Sequence, residues 1–293
     1  MNTTSGQSTQ YKSGFQRAIY RFSRSPLSII GLVIILVISV VAIFAPFIAP
    51  YPKDAISAVH FGNSFQPPSL AHPFGTDEVG RDVLSRVIFG SRLSLKVGLV
   101  VVAISVLVGV PLGLVAAYVG GAWEVVIMRM TDVFLSIPPL VLALAVAAVF
   151  KPNLTNSMLA ISFTWWPWYV RLAYGEALSI KEEDFVEVCE SVGASKSHIM
   201  FKEILPNMAS TLLVKVTLDI GYAILMGASL GFLGVGAQPP TPAWGTMVSL
   251  GRVHLSRAWW LATFPGLAIF LTVLGSNLFG DGLRDLLDVE MER

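Results

Sequence analysis

KEEDFVEVCESVGASKSHIMFKEILPN (residues 181–207) carries nine Lys, Asp and Glu residues among its 27, in a chain of 293 with only 20 Lys and Arg and 19 Asp and Glu. Phe185, Val188, Cys189 and Val192 fall at i, i+3, i+4 and i+7, the spacing of one helix face, and Glu182, Glu183, Glu187 and Glu190 take the other faces. Gly193, followed by Ala194, is the residue that most readily adopts a left-handed, helix-ending conformation. Ser195 is a good N-cap for a second helix carrying Ile199, Met200, Phe201 and Ile204, which Leu205 and Pro206 bound. The stretch predicts helix, elbow, helix. Its three lysines and six acids leave a negative excess that repels phosphate, which excludes a DNA-binding helix-turn-helix.

Everything around this stretch is apolar. Hydrophobic residues make up 54% of the chain and charged residues 13%, outside the range of ordinary soluble domains. The apolar residues form uncharged blocks at 27–50, 97–121, 133–150, 155–170, 220–251 and 258–280. About 20 helical residues cross a hydrocarbon layer about 30 Å thick. Block 155–170 is short but counts as a span because Arg171 can snorkel from its end. The prediction is an all-α integral membrane protein with six transmembrane helices, the charged stretch standing in water between two of them. Lys12, Arg17, Arg21 and Arg24 precede a first apolar stretch too long for a cleaved signal peptide. They place the N-terminus in the cytoplasm by the positive-inside rule. Residues 51–92 and 236–257 then face outward, and 181–207 and the end of the chain inward. The expected divisions are a tail at 1–25, a first span with an outer amphipathic segment at 26–92, a core at 93–282 and a tail at 283–293.

Catalytic constellations are not visible. Cys189 is the single cysteine, and His60, His72, His198 and His254 are scattered outside the apolar blocks. Neither H-E-x-x-H nor a G-x-x-x-x-G-K-[ST] phosphate loop occurs, so no enzyme, metal or nucleotide site is expected on this chain. Asp132, Lys215 and Asp219 are expected near span ends, leaving the blocks without the intramembrane charges that an ion-coupled transporter needs. Pro111, Pro138, Pro139, Pro167 and Pro265 predict kinks, and Gly113, Gly221, Gly227 and Gly231 predict close helix contacts. Trp165, Trp166 and Trp168 are expected as interfacial anchors. Over 76–92, Val79, Val83 and Val87 oppose Arg81, Asp82, Ser85 and Arg86, which predicts a surface amphipathic helix capped by Thr76 or Asp77. GAQPPTPAWG (236–245) predicts a rigid turn.

Glu187-Val188-Cys189, Gly193 four residues later and Ile204-Leu205-Pro206 resemble the E-A-A-x-x-x-G loop of ABC importer permeases, with Val188 and Cys189 where alanines are usual. HPFGTDEVGRDVLSRVIFGSRLSL (72–95), FLGVGAQPPTPAWGTM (232–247) and GDGLRDLLDVE (280–290) resemble the dipeptide/oligopeptide/nickel permease family, in the subunit type with an extra N-terminal span. The resemblance implies a type I ABC importer transmembrane domain that carries di- or oligopeptides, relatives taking nickel, glutathione or oligosaccharides. It implies a second homologous permease, two cytoplasmic ATPases that bind the ATP and Mg, and an extracytoplasmic substrate-binding protein. The setting is a bacterial or archaeal cytoplasmic membrane. It further implies an ATPase-docking loop comprising Phe185, Glu187, Val188, Cys189, Val192, Gly193, Ala194, Ser195, Ile204, Leu205 and Pro206. Gly75, Thr76, Asp77, Gly80, Arg81 and Asp82, with Gln238, Pro239 and Pro240, would be its outer motifs.

Overall fold

The computed structural model describes residues 25–291, with side chains through Leu287. Lys12, Arg17, Arg21 and Arg24, on which the orientation rests, lie outside these. Among the described residues the chain is helical, with one isolated bridge between Thr76 and Asp82. Helix α1 (Pro26–Ile43) starts with Ser25 as N-cap and proline at the first position, where no N–H is needed. Helix α2 (Val83–Val119) has 37 residues and is about 55 Å long. It is followed by α3 (Gly121–Leu135), α4 (Pro139–Val149), α5 (Leu154–Lys181) and the short α6 (Asp184–Ser191). Helix α7 (Ala209–Phe232), α8 (Trp244–Gly251) and α9 (Trp260–Met291) complete the bundle.

Four helices, α1, α2, α7 and the Trp260–Leu287 part of α9, are long and apolar enough to cross a membrane. A fifth span forms if α3 and α4 are taken together, although they meet at 90°. The predicted span 133–150 is therefore not one straight helix. Pro138 and Pro139 lack N–H donors, so the ladder cannot pass Ser136, and α4 restarts with Pro139 at its first position. The sixth predicted span, 155–170, lies inside α5, which is about 42 Å long but carries Asn156, Ser157, Ser162, Thr164 and three tryptophans. Its length suffices for a crossing, whereas its composition does not mark it as one.

Small residues set the helix contacts. A β-carbon at Gly109 would meet the Trp166 carbonyl at 2.5 Å, and one at Gly113 would meet Ala173 Cβ at 2.7 Å, so α2 lies nearly backbone-to-backbone on α5. Gly31 on α1 touches Leu278 and Phe279 of α9 just as closely, and Gly221 of α7 faces Ser276 of α9. Without a hydrophobic drive in lipid, such close approach supplies the dispersion energy that holds spans together.

Two expectations are overturned here. Residues 76–82 are not helical: α2 begins at Val83, with Asp82 as its N-cap in place of Thr76 or Asp77. The face of Arg81, Asp82, Ser85 and Arg86 does not meet solvent but is buried. Lys215 and Asp219 do not lie at a span end either, because α7 starts at Ala209 and carries both within its length. The two neutralise each other at i and i+4, Nζ to Oδ1 2.8 Å, which lets the helix run on through them.

Candidate partner-docking loop and its opposite brace

Helix α6 begins after Glu183 and holds Asp184 and Glu187 in its first turn, where acids suit the helix dipole. It ends in a Schellman motif: Ala194 N–H donates to the Cys189 carbonyl and Gly193 N–H to that of Glu190, both at 3.0 Å. Gly193 takes φ +82°, as expected of the elbow. Ser195 caps the next turn by accepting from His198 N–H at 3.3 Å. The second helix differs from expectation. Lys196–His198 leads into a π-helix, Ile199–Ile204, and Pro206 sits at the start of another turn, Leu205–Asn207. Proline in a first turn gives up no bond, so it continues the segment toward α7 and does not end it.

The loop has an inside and an outside. Val186, which lies off the stripe of Phe185, Val188, Cys189 and Val192, is 1% exposed and packs into the bundle core with Ile199, Met200 and Ile204. Cys189, Ala194 and Leu205 pack against the same core. Phe185, Val188 and Val192 turn to solvent, Val192 being 78% exposed, and Glu187, Gly193, Ser195 and Pro206 are exposed beside them. Of the residues expected in the docking loop, Ile204 thus supports it from beneath, while three valine and phenylalanine side chains form an uncovered apolar edge rimmed by acids. Two contacts fix the loop to the bundle. The Tyr118 hydroxyl at the end of α2 donates to Glu190 Oε1 at 2.6 Å. Lys181 Nζ reaches the Ala117 and Tyr118 carbonyls and lies 5.4 Å above the Tyr118 ring.

At the other end of α2 the polar groups are turned inward. Asp77 Oδ1 accepts from the N–H of Val79 and Arg81, and Oδ2 accepts from Arg81 Nε at 2.7 Å, with Arg86 Nε 3.6 Å away. Asp82 Oδ2 receives both the N–H and the hydroxyl of Ser85 at 2.7 Å, and its Oδ1 lies 3.0 Å from His72 Nδ1. Asp54 Oδ2 accepts from Asp82 N–H at 2.8 Å, and Oδ1 lies 3.2 Å from His60 Nε2. Gly80 has φ +81°, and a β-carbon there would collide with the His60 carbonyl. Trp260 Nε1 donates to the Thr76 carbonyl directly beside Gly75.

The loop 233–243 closes over this assembly. Arg86 Nη1 donates to the Pro240 carbonyl at 3.3 Å, and Trp244 Nε1 to the Val87 carbonyl at 2.9 Å. Gln238 bonds back to the Gly234 and Gly236 carbonyls, leaving Gln238, Pro239 and Pro240 exposed on top. The two motif segments, joined by bonds that span 154 and 157 positions of sequence, form one brace whose charges are nearly all satisfied internally. Among the described residues no three His, Cys, Asp or Glu side chains converge to hold a metal.

The family model described as binding-protein-dependent transport system inner membrane component matches residues 109–293. The model for the N-terminal TM domain of oligopeptide transport permease C matches residues 13–68. The chain is 46% identical over 287 residues to the probable D,D-dipeptide transport system permease protein DdpC of Escherichia coli K12, covering 97% of this chain and 95% of that one. It is 40% identical over 280 residues to the dipeptide transport system permease protein DppC of Alkalihalophilus pseudofirmus, covering 96% and 91%. It is also 43% identical over 272 residues to the glutathione transport system permease protein GsiD of Escherichia coli O6:K15:H31, covering 93% and 89%.

Proposed function

Because the chain belongs to the family of binding-protein-dependent transport system inner membrane components, we propose that it is the permease subunit through which an ABC importer takes di- and oligopeptides into the cell. It is a multi-pass membrane protein, and the chemistry of ATP belongs to partner subunits. In this reading the loop 181–207 lies in the cytoplasm with the N-terminus, and the brace lies outside.

The observation that carries the docking assignment is the uncovered edge of Phe185, Val188 and Val192 on α6. The edge projects into water from a helix rooted by Val186 and tied to α2 through Tyr118 and Glu190. Three exposed apolar side chains on one short, firmly held helix suit a groove on an ATPase subunit. A push on α6 then reaches α2 through a short hydrogen bond and α5 through a turn of two residues, Glu182 and Glu183. The outer face of the brace, with Gln238, Pro239 and Pro240 exposed, suits the substrate-binding protein. A second, homologous permease completes the solute path.

The test is uptake by proteoliposomes holding this chain with its partner permease, both ATPases and the binding protein. Labelled dialanine accumulates only with ATP, and unlabelled dipeptide competes better than glutathione. Accumulation of glutathione but not of dialanine would move the substrate to that of the GsiD relative. Failure with every peptide offered would remove the peptide assignment.

A further inference from the structure

Five ionisable side chains and two tryptophans form a continuous stripe within the helices α3, α5 and α7. Arg171 of α5 pairs with Asp132 of α3, and Arg129 lies 3.8 Å from the same carboxylate. Trp168, one turn before Arg171, has Lys215 Nζ 6.0 Å from its ring centre. Lys215 bonds Asp219 Oδ1, whose Oδ2 accepts from Trp165 Nε1 at 3.0 Å. Asp219 is itself 1% exposed, and the wholly buried Tyr169 hydroxyl lies beside it. Arg171 lies ten residues from the end of α5 and Asp219 ten residues from the start of α7, each about 15 Å into its helix from the 181–207 end. Lysine side chains on a helix lean toward its N-terminus, which for α7 is that near end. Lys215 instead reaches one turn deeper, to Asp219.

The stripe is open along its length: the side chains of Arg171 and Lys215 are 44% and 31% exposed. Hydrocarbon cannot cover such groups without large cost, and intramembrane charges face bundle interiors or water-filled cavities. A dry protein interface is no better, because part-exposed charges sealed away from water lose solvation that their single pairings do not restore. With three cations against two carboxylates, the stripe is also not self-neutral. We propose that Trp168, Arg171, Lys215 and Asp132 line the water-filled solute path, with Asp219, Trp165 and Tyr169 holding Lys215 in place behind it. The stripe gives a polar solute with an anionic end a hydrated wall along which to pass. The inference rests on the permease reading and is independent of which solute is carried.

The test uses the complete complex in membrane vesicles, in a Cys189→Ser background. Trp168→Cys is compared with Val37→Cys, which is at least as open on the uncharged α1. A charged, membrane-impermeant thiol reagent modifies position 168 at least an order of magnitude faster than position 37. The rate then drops by a similar factor when vanadate traps the complex with its loaded binding protein. Equal rates at the two positions put the stripe in lipid and overturn the proposal. A fast rate unchanged by trapping places it in ordinary interfacial water, and constant protection places it against the second permease; either also overturns it. If Trp168→Cys fails to assemble, Tyr222→Cys, seven residues beyond Lys215 and half exposed, serves the same comparison. ATP-driven uptake by the unsubstituted complex is measured in parallel. Its absence would fault the permease reading, whereas the labelling pattern alone decides the stripe.

Discussion

The two ends of α2 each meet a charged segment, residues 72–86 at its start and 181–207 packed against its end, yet the chain folds the two segments in opposite senses. At the brace, buried Asp77 pairs with Arg81 and Arg86, buried Asp82 is held by Ser85 and His72, and the valines beside them fill a small core with Trp244 and Trp260. At the loop, the acids stay in water and Phe185, Val188 and Val192 stay with them. Burying charge demands complete pairing and tolerates little change. Exposing hydrocarbon is unfavourable only until something covers it. The brace is thus a finished structure and the loop an unfinished one.

The sharpest way to break this contrast is at the brace. Asp77→Ala leaves Arg81 and Arg86 buried without their carboxylate, and breaking such a buried pair costs about 3–5 kcal/mol. Thermal unfolding of the detergent-extracted complex, followed by fluorescence, should show a large downward shift or loss of monodisperse protein. A wild-type profile would mean that the brace is not a closed unit.

At the elbow the expected effect is smaller. Gly193→Leu forces a side chain into the left-handed region at about 1–2 kcal/mol, and nothing lies within 4 Å to oppose it sterically. The spans should extract normally while ATP turnover loses its stimulation by the loaded binding protein. Stimulation at the wild-type level would show that the elbow does not transmit. Tyr118→Phe removes only the tie to Glu190, worth about 0.5–1.5 kcal/mol. Its mark should be a higher ratio of ATP hydrolysed to solute moved, with Glu190→Gln giving a milder version. An unchanged ratio in both would leave the tie without a part in coupling.

How far the sequence discloses this depends on the range of the interaction. The apolar blocks, the helix–elbow–helix of 181–207 and the roles of Gly193 and Ser195 are local, and each is visible within a few residues. Val186 escaped because a short helix can root itself by a single residue off its apparent stripe, and no periodicity marks one residue. Tyr118 meets Glu190 across 72 positions and Arg86 meets Pro240 across 154, pairings that no window contains. For the same reason the polar face of 76–92 reads, within its own window, as the outer face of a surface helix. The Asp54, His60 and Pro240 atoms that cover it come from elsewhere. Lys215 and Asp219 looked peripheral because uncharged blocks were counted, whereas a self-paired i,i+4 couple lets a helix extend past the end of its block. The 90° break between α3 and α4 was half visible: tandem proline forbids a straight helix but does not fix an angle.

The smallest effect on stability should accompany the largest effect on assembly, and that pairing tests the account most directly. Val188→Glu combined with Val192→Glu alters two exposed side chains, so the unfolding profile should stay within about 0.5 kcal/mol of wild type. The measurement is the amount of ATPase subunit that copurifies with the permease pair carrying these changes. The account predicts that the ATPases are lost from the purified complex and that ATP-driven uptake is lost with them. Stoichiometric ATPase together with wild-type uptake would contradict it, and would make residues 181–207 a connector and nothing more.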